Sequence, residues 1–218
     1  MRDLHSGPQR GRLRVLSTHG FGLKIVAPLL NDFHARYPEI ALELLLSPDP
    51  VDFSKDRIDL WFREGSVEDR HIEARQLMPR QLVVCASPAY ARTYGLPQHV
   101  DDLVRHRCIN FRDASGTIQP WSFKVDGLAR RRQFVARHTF NDESLITQAV
   151  IDGVGIAQLP AYHVCGLLAE RTLLCCLAQY APKDGGHYLC YPKRTPVPAR
   201  VRVFIEYMTE RMHALNLR

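Results

Sequence analysis

Residues 11–46 read GRLRVLSTHGFGLKIVAPLLNDFHARYPEIALELLL and hold a strand, a helix and a second strand in one continuous stretch. Residues 12–16 alternate polar and apolar side chains, which is the two-residue period of a strand. Apolar residues from Phe21 to Phe33 then recur at helical spacing, and Pro28 is expected to kink this helix or to mark a second start. The apolar run at 40–46 predicts the second strand, so the order indicates a parallel α/β sheet.

The same patterns extend along the rest of the chain. Further strands are predicted at residues 58–62, 82–86, 108–111, 154–159 and 188–191, and a β-hairpin at 121–125 and 133–137 around the turn Asp126-Gly127. Helices are predicted after Ser87, Asp101, Asn141 and Pro160, and over the last amphipathic segment.

These elements form two α/β sets, one on each side of residues 86–87. The prediction is therefore an α/β protein with two Rossmann-like lobes joined by two crossing strands. The closing strand and helix are assigned to the first set, which has fewer elements of its own. This gives a first lobe of residues 11–86 and 188–218, with a second lobe of residues 87–187 inserted into it.

Composition limits the class of protein. The 218 residues are 45% apolar and 24% charged, with a net charge of +6, and no run approaches the ~18 apolar residues that a membrane span needs. The polar first residues predict no secretory signal in this sequence. Six cysteines without C-x-x-C spacing are expected to be reduced core thiols of a cytoplasmic protein, with a metal or catalytic thiol as the alternative.

Ligands of parallel α/β sheets bind outside the carboxyl ends of the strands, where helix N-termini present N–H groups. The candidate ligand-binding residues at such ends are Ser17, Thr18, His19, Ser47, Arg63, Gly65, Phe111, Asn141, Asp142 and Gly155. No catalytic residue, cofactor or metal ligand is predicted, because the sequence contains no nucleophile, phosphate-loop or zinc motif.

Several of these residues have a structural alternative. Arg63 is suited to clamp a carboxylate, or else pairs with Glu64 or Glu68. Ser17 and Thr18 are suited to contact an anion, or else only cap the first helix. Asn141 is likewise a cap or a ligand contact, His19 a pH-dependent contact or a surface residue, and Phe111 a pocket or a core residue.

Seven segments together resemble the effector-binding domain of LysR-type transcriptional regulators. They are residues 11–15, 27–33, 36–39, 58–65, 85–90, 149–157 and 201–205. The resemblance implies a fold similar to type II periplasmic solute-binding proteins, with a small effector, a carboxylate or other anion, in the cleft between the lobes. Trp61-Phe62 departs from the smaller aliphatic pair expected there, which leaves the size and polarity of the effector open.

The resemblance also implies partners. It implies a homodimer through residues 21–36 and 40–46, a tetramer in the full-length parent, and DNA binding only through a winged helix-turn-helix upstream of this sequence. Residues 1–10 would then be the remnant of a linker helix. The sequence-based hypothesis is therefore a cytoplasmic ligand-sensing domain that is not an enzyme. The alternatives are a transporter-type solute-binding protein of the same fold, or an enzyme with a thiol or carboxylate mechanism.

Overall fold

The computed structural model describes residues 9–65, 69–182, 185–193 and 195–215. Contacts divide the chain into two compact units. The described residues within Met1–Pro79 and Gly185–Asn216 form the first unit, and those within Arg80–Asp184 form the second. The linker-helix remnant predicted for residues 1–10 lies almost entirely outside the described residues.

The elements alternate along the chain as an α/β protein. The strands are β1 (Gly11–Ser17), β2 (Ile40–Leu46), β3 (Leu60–Glu64), β4 (Ile72–Pro79), β5 (Leu82–Ala86), β6 (Cys108–Phe111), β7 (Trp121–Val125), β8 (Leu128–Arg132), β9 (Ala136–Phe140), β10 (Ala157–Pro160), β11 (Leu174–Cys176) and β12 (Gly186–Pro192). The α-helices are α1 (His19–Phe21), α2 (Ala27–Arg36), α3 (Pro88–Tyr94), α4 (Glu143–Ile151), α5 (Ala161–Ala169) and α6 (Ala199–Ala214). Shorter 3₁₀ turns occupy Val100–Arg105 and Ala178–Tyr180.

The first unit contains a five-stranded sheet in the order β2-β1-β3-β12-β4. β1 lies parallel to β2 and β3, whereas β12 is antiparallel to both β3 and β4. Strand β4 was not predicted, because most of its side chains are exposed and it lacks an alternating apolar pattern. It pairs along the whole of β12 and forms one edge of the sheet, while β2 forms the other.

The first helical segment runs from His19 to Arg36 and changes its winding along the way. A π-helical stretch, Gly22–Val26, joins α1 to α2, and Pro28 lies in the first turn of α2. Pro28 therefore follows a change of winding inside one continuous helical segment and not a break in the helix, because the backbone of Val26 before it is itself helical. Phe33 of α2 packs edge-on against Phe204 and Tyr207 of α6, with ring centroids 5.0 and 5.2 Å away.

The second unit is built around β5, which lies between β10 and β11 in an antiparallel sheet. This corrects the predicted first lobe, which extended to residue 86: β5 contributes Val84 and Cys85 to the two core clusters of the second unit. The apolar pattern of residues 82–86 shows a buried strand without showing which sheet it joins. β6 and β9 form a separate parallel pair.

The first strand of the β-hairpin lies where predicted, but its second strand begins earlier in the chain than predicted. Asp126 and Gly127 have φ of 51° and 77°, so they make a two-residue turn and β8 starts directly at Leu128. The basic residues 130–132 therefore lie in the returning strand, which was predicted at 133–137. Residues of that predicted strand from Ala136 onward belong to β9, parallel to β6.

Helix α6, with 16 residues, is the longest helix in the described part of the chain. No helix in that part is long and apolar enough to span a membrane.

Candidate functional site

Three strands of the first unit end at one edge of the sheet and bring several predicted site residues together. Ser17 is opposite Leu46 of β2 and Phe62 of β3. The N–H of Ser47 donates to the carbonyl oxygen of Ser17 over 3.0 Å. Ser17, Ser47 and Arg63 therefore share the carboxyl edge of β1, β2 and β3, as parallel strands require.

Ser17 and Thr18 do not cap the first helix, contrary to one of the two interpretations above. Thr18 occupies the N-cap position with extended backbone, but its side chain makes no capping hydrogen bond. The side chain of Ser17 is completely buried, and its hydroxyl has no hydrogen-bond partner among the described residues. Thr18 is half-buried and His19 is exposed, so these two residues are reachable from solvent in this conformation.

Gly22 is a residue of this edge that the sequence reasoning missed. A Cβ at Gly22 would lie 2.3 Å from the Leu46 side chain and 3.1 Å from the Cβ of Ser17. Glycine therefore lets the π-helical turn pass directly over the end of β1. A glycine directly after Phe21, inside the predicted helical pattern, was the available signal.

Arg63 lies on the sheet face that also carries Trp61, two residues earlier. Its guanidinium carbon is 4.9 Å from the centre of the Trp61 ring, within cation–π range. Its Nε donates a long hydrogen bond of 3.4 Å to the carbonyl oxygen of Glu64. No ion pair to Arg63 is found among the described residues, which exclude Glu68, so stacking is its main fixed contact.

Ser47 and Gly65 have local structural roles at the same edge. The Ser47 hydroxyl donates to the Asp49 carboxylate over 3.0 Å and accepts the Asp49 N–H over 3.1 Å, which closes a turn after β2. Gly65 has φ of 85°, in the left-handed region, and its N–H donates to the carbonyl oxygen of Gly186. These contacts explain why residue 47 is a serine and residue 65 a glycine, and the explanation does not require a bound ligand.

In the second unit, Phe111 and Asn141 come together at the carboxyl ends of β6 and β9. Phe111 is paired with Phe140, and its side chain is half-buried against a core cluster of the unit. Asn141 is exposed and does not cap α4. The N-cap is Asp142, whose carboxylate accepts the N–H groups of Ser144 and Leu145 at 2.8 and 3.3 Å.

Gly155 lies apart from that pair, beside the amino end of β6. A Cβ there would lie 2.2 Å from the carbonyl oxygen of Arg107 and 3.0 Å from the Ile109 side chain. A backbone oxygen cannot move aside as the end of a flexible side chain can. Close packing therefore explains why residue 155 is a glycine. Its predicted ligand contact has no support in the local geometry.

The cysteines have the environment of core thiols. Four of the six, Cys85, Cys108, Cys176 and Cys190, are buried, and all six are free. Burial raises the pKa of Cys108 and Cys176 to about 12 and that of Cys190 to about 11, so these thiols stay protonated near neutral pH. Within the described ranges, no three His, Cys, Asp or Glu side chains are grouped as metal ligands would be.

Comparisons with known proteins agree with this architecture. The model of the LysR substrate binding domain matches residues 6–213. The HTH-type transcriptional regulator CrgA of Neisseria meningitidis is 30% identical over 213 residues, which are 97% of this chain and 70% of CrgA. The HTH-type transcriptional regulator PgrR of Escherichia coli is 28% identical over 206 residues, which are 94% of this chain and 69% of PgrR.

Two solved structures have the same fold. The regulatory domain of CrgA, described as a LysR-type transcriptional regulator, superposes with a TM-score of 0.82 at 27% identity and covers 93% of this chain and 99% of that one. Full-length AphB of Vibrio cholerae superposes with a TM-score of 0.81 at 23% identity, covering 93% of this chain and 69% of AphB, and supports the fold alone. The chain belongs to the LysR substrate-binding domain family and is the effector-binding domain of a LysR-type transcriptional regulator.

Proposed function

We propose that this domain senses a small anionic effector, a carboxylate or similar anion, which Thr18 and the start of the first helix bind. The observation that carries the proposal is the free N-cap position. The Thr18 hydroxyl does not cap the helix, and it stands where the N–H groups of a helix N-terminus favour negative charge. Ser17, buried behind it with an unpaired hydroxyl, is reached only after a local movement of its neighbours.

Arg63 supplies the second element of the proposed site. Its guanidinium is half-buried and stacked on Trp61, and no carboxylate of the described residues neutralises it. Stacking fixes the plane of the guanidinium and leaves its N–H groups for an anion. His19, Ser47, Gly65, Phe111, Asn141, Asp142 and Gly155 stay predictions as effector contacts, and the local roles described above weaken the case for Ser47, Gly65, Asp142 and Gly155.

The proposed mechanism is regulation and not catalysis. An effector that binds one conformation of the domain more tightly than another shifts the population toward that conformation. DNA would be bound by a winged helix-turn-helix outside this sequence, in the cytoplasm, as the names of the HTH-type relatives suggest. A homodimer through residues 21–36 and 40–46 and a tetramer of the full-length protein complete the proposal.

The experiment is a thermal-shift screen of the purified domain against carboxylates, amino acids, aromatic acids and phosphates. A ligand at ~100 times its Kd stabilises by about 2.7 kcal/mol, which raises the Tm by roughly 5–10 °C. We expect an anionic ligand to give this shift, and both Thr18→Ala and Arg63→Ala to reduce it. A Tm shift that is unchanged by both substitutions would mean that the effector does not bind at this edge of the first unit.

A further inference from the structure

The loop of residues 47–58 leaves a cavity of about 560 Å³ against the ends of β1 and β2 in the first unit. This volume is in the range of small-molecule pockets, ~300–1,000 Å³. The cavity has an apolar floor and a charged rim. Its floor is formed by Leu16, Leu45, Val51 and Ile58, and its charged rim by Arg14, Asp49, Asp52, Lys55 and Asp56.

Half of the floor belongs to the sheet beneath the loop. Leu16 and Ile58 are only 7% and 4% exposed, and Leu16 is paired in register with Leu45 of β2. Leu16 and Leu45 are therefore fixed by the sheet, whereas Val51 and Ile58 are contributed by the loop itself. An apolar body placed on this floor would remove the remaining apolar surface from water, which is favourable.

The carboxylates of the rim each have one oxygen that is not used by the loop. Oδ1 of Asp52 accepts the N–H groups of Ser54 and Lys55, both over 3.0 Å. Oδ2 of Asp56 accepts the N–H of Asp52 over 2.9 Å, and Oδ2 of Asp49 accepts the Ser47 hydroxyl. Among the described residues, the second oxygen of each carboxylate accepts no hydrogen bond.

The positive groups of the rim are unequal. The Nε of Arg14 donates to Glu43 over 3.0 Å and one of its terminal nitrogens donates to the carbonyl oxygen of Asp56, so this guanidinium is engaged by the protein. Lys55 is exposed, and its ammonium makes no hydrogen bond or ion pair within the described ranges. The rim thus carries one more negative than positive charge, although the whole sequence is basic, with a net charge of +6.

We propose that this cavity, which Ser47 also lines but Thr18 and Arg63 do not, is a second ligand site for a small molecule that carries an ammonium group on an apolar body. The ammonium group binds the unused carboxylate oxygens of the rim, and the apolar body lies on Leu16, Leu45 and Ile58. A simple amine and an apolar α-amino acid share this chemistry. An amino acid would also place its carboxylate near Lys55.

The test is isothermal titration calorimetry of the domain with hexylamine, butylamine, leucine and hexanoate. We expect hexylamine to bind and hexanoate, which has the same apolar chain and the opposite charge, not to bind. Each methylene between butylamine and hexylamine should tighten binding about three- to fourfold. If leucine binds, and Lys55→Gln weakens leucine binding but not hexylamine binding, the ligand of this site is an amino acid. If leucine does not bind, the ligand is a simple amine.

Matched variants separate this site from nonspecific attraction. Asp49→Asn keeps an acceptor for the Ser47 hydroxyl and removes one rim charge, and should weaken hexylamine binding about tenfold. Asp126→Asn makes the same change in the hairpin turn of the other unit and should have no effect. Equal binding of hexanoate, or unchanged affinity in Asp49→Asn, would overturn the proposal. Thr18→Ala and Arg63→Ala should leave hexylamine binding intact, so the two proposals fail independently.

Discussion

Gly155 illustrates how one residue can be required by its neighbours alone. Its missing Cβ makes room for the Arg107 carbonyl oxygen, 2.2 Å from where that Cβ would lie. We expect Gly155→Ala to destabilise the domain by about 1–3 kcal/mol, because the backbone must shift. Urea unfolding measures this. Gly166→Ala is the control: no atom lies within 4 Å of its added Cβ in α5, so it should be neutral or stabilise by up to about 1 kcal/mol.

His106 links a part-buried hydrogen bond to pH. The Tyr90 hydroxyl accepts the N–H of Arg107 over 3.0 Å and is hydrogen-bonded to Nδ1 of His106, also at 3.0 Å. Burial, the largest influence, lowers the pKa of His106, and nearby Arg105 lowers it further, while Asp102 opposes them.

A lowered histidine pKa makes the unfolded chain the better proton acceptor, so the domain loses stability as the pH falls below about 6.5. We expect His106→Gln to reduce the drop in Tm between about pH 7.5 and about pH 5.5. His34→Gln, at an exposed position of α2, serves as the control in the same melts. An unchanged drop in Tm for His106→Gln would show that other groups cause the pH dependence.

At the scale of elements, the start of helix α4 distinguishes its N-cap residue, Asp142, from the neighbouring Asn141. The Asp142 carboxylate accepts two N–H groups of the first turn, whereas Asn141 is exposed. We expect Asp142→Ala to lower the free energy of unfolding by about 0.5–2 kcal/mol and Asn141→Ala to leave it almost unchanged. Thermal and urea unfolding of both variants check this. Equal effects would mean that the capping contact contributes little to stability.

The elements differed in how well the sequence predicted them. Helix α3 was recognisable because Ser87 accepts the N–H of Tyr90, Pro88 opens the first turn and Gly95, with φ of 72°, ends the helix. These are local effects that act within a few residues. Strand β4 has no such pattern and exists because β12 offers it a partner more than 100 residues later in the chain.

At the scale of the whole molecule, the proposed dimer has a test in the exposed apolar residues of the first unit. Leu23 is 49% exposed and follows Gly22, which packs against the side chain of Leu46 at the end of the edge strand β2. We expect Leu23→Glu to shift the domain toward monomer, because a buried carboxylate without a partner disfavours an apolar interface. Light scattering after gel filtration measures the mass. Val104→Glu, at a 75% exposed residue of the second unit, should leave the oligomer intact.

Residue order along the chain was sufficient for the α/β class, the positions of most strands and helices, and the choice of strand ends as candidate sites. Periodicity and turn residues act locally, so they can be recognised without coordinates. Tertiary structure was needed to assign β5 to the second unit, to show that Ser17 is buried with an unpaired hydroxyl, and to separate Gly155 from Phe111 and Asn141. Strand partners, burial and the space beside a Cβ arise from contacts between distant segments, and no local pattern records them.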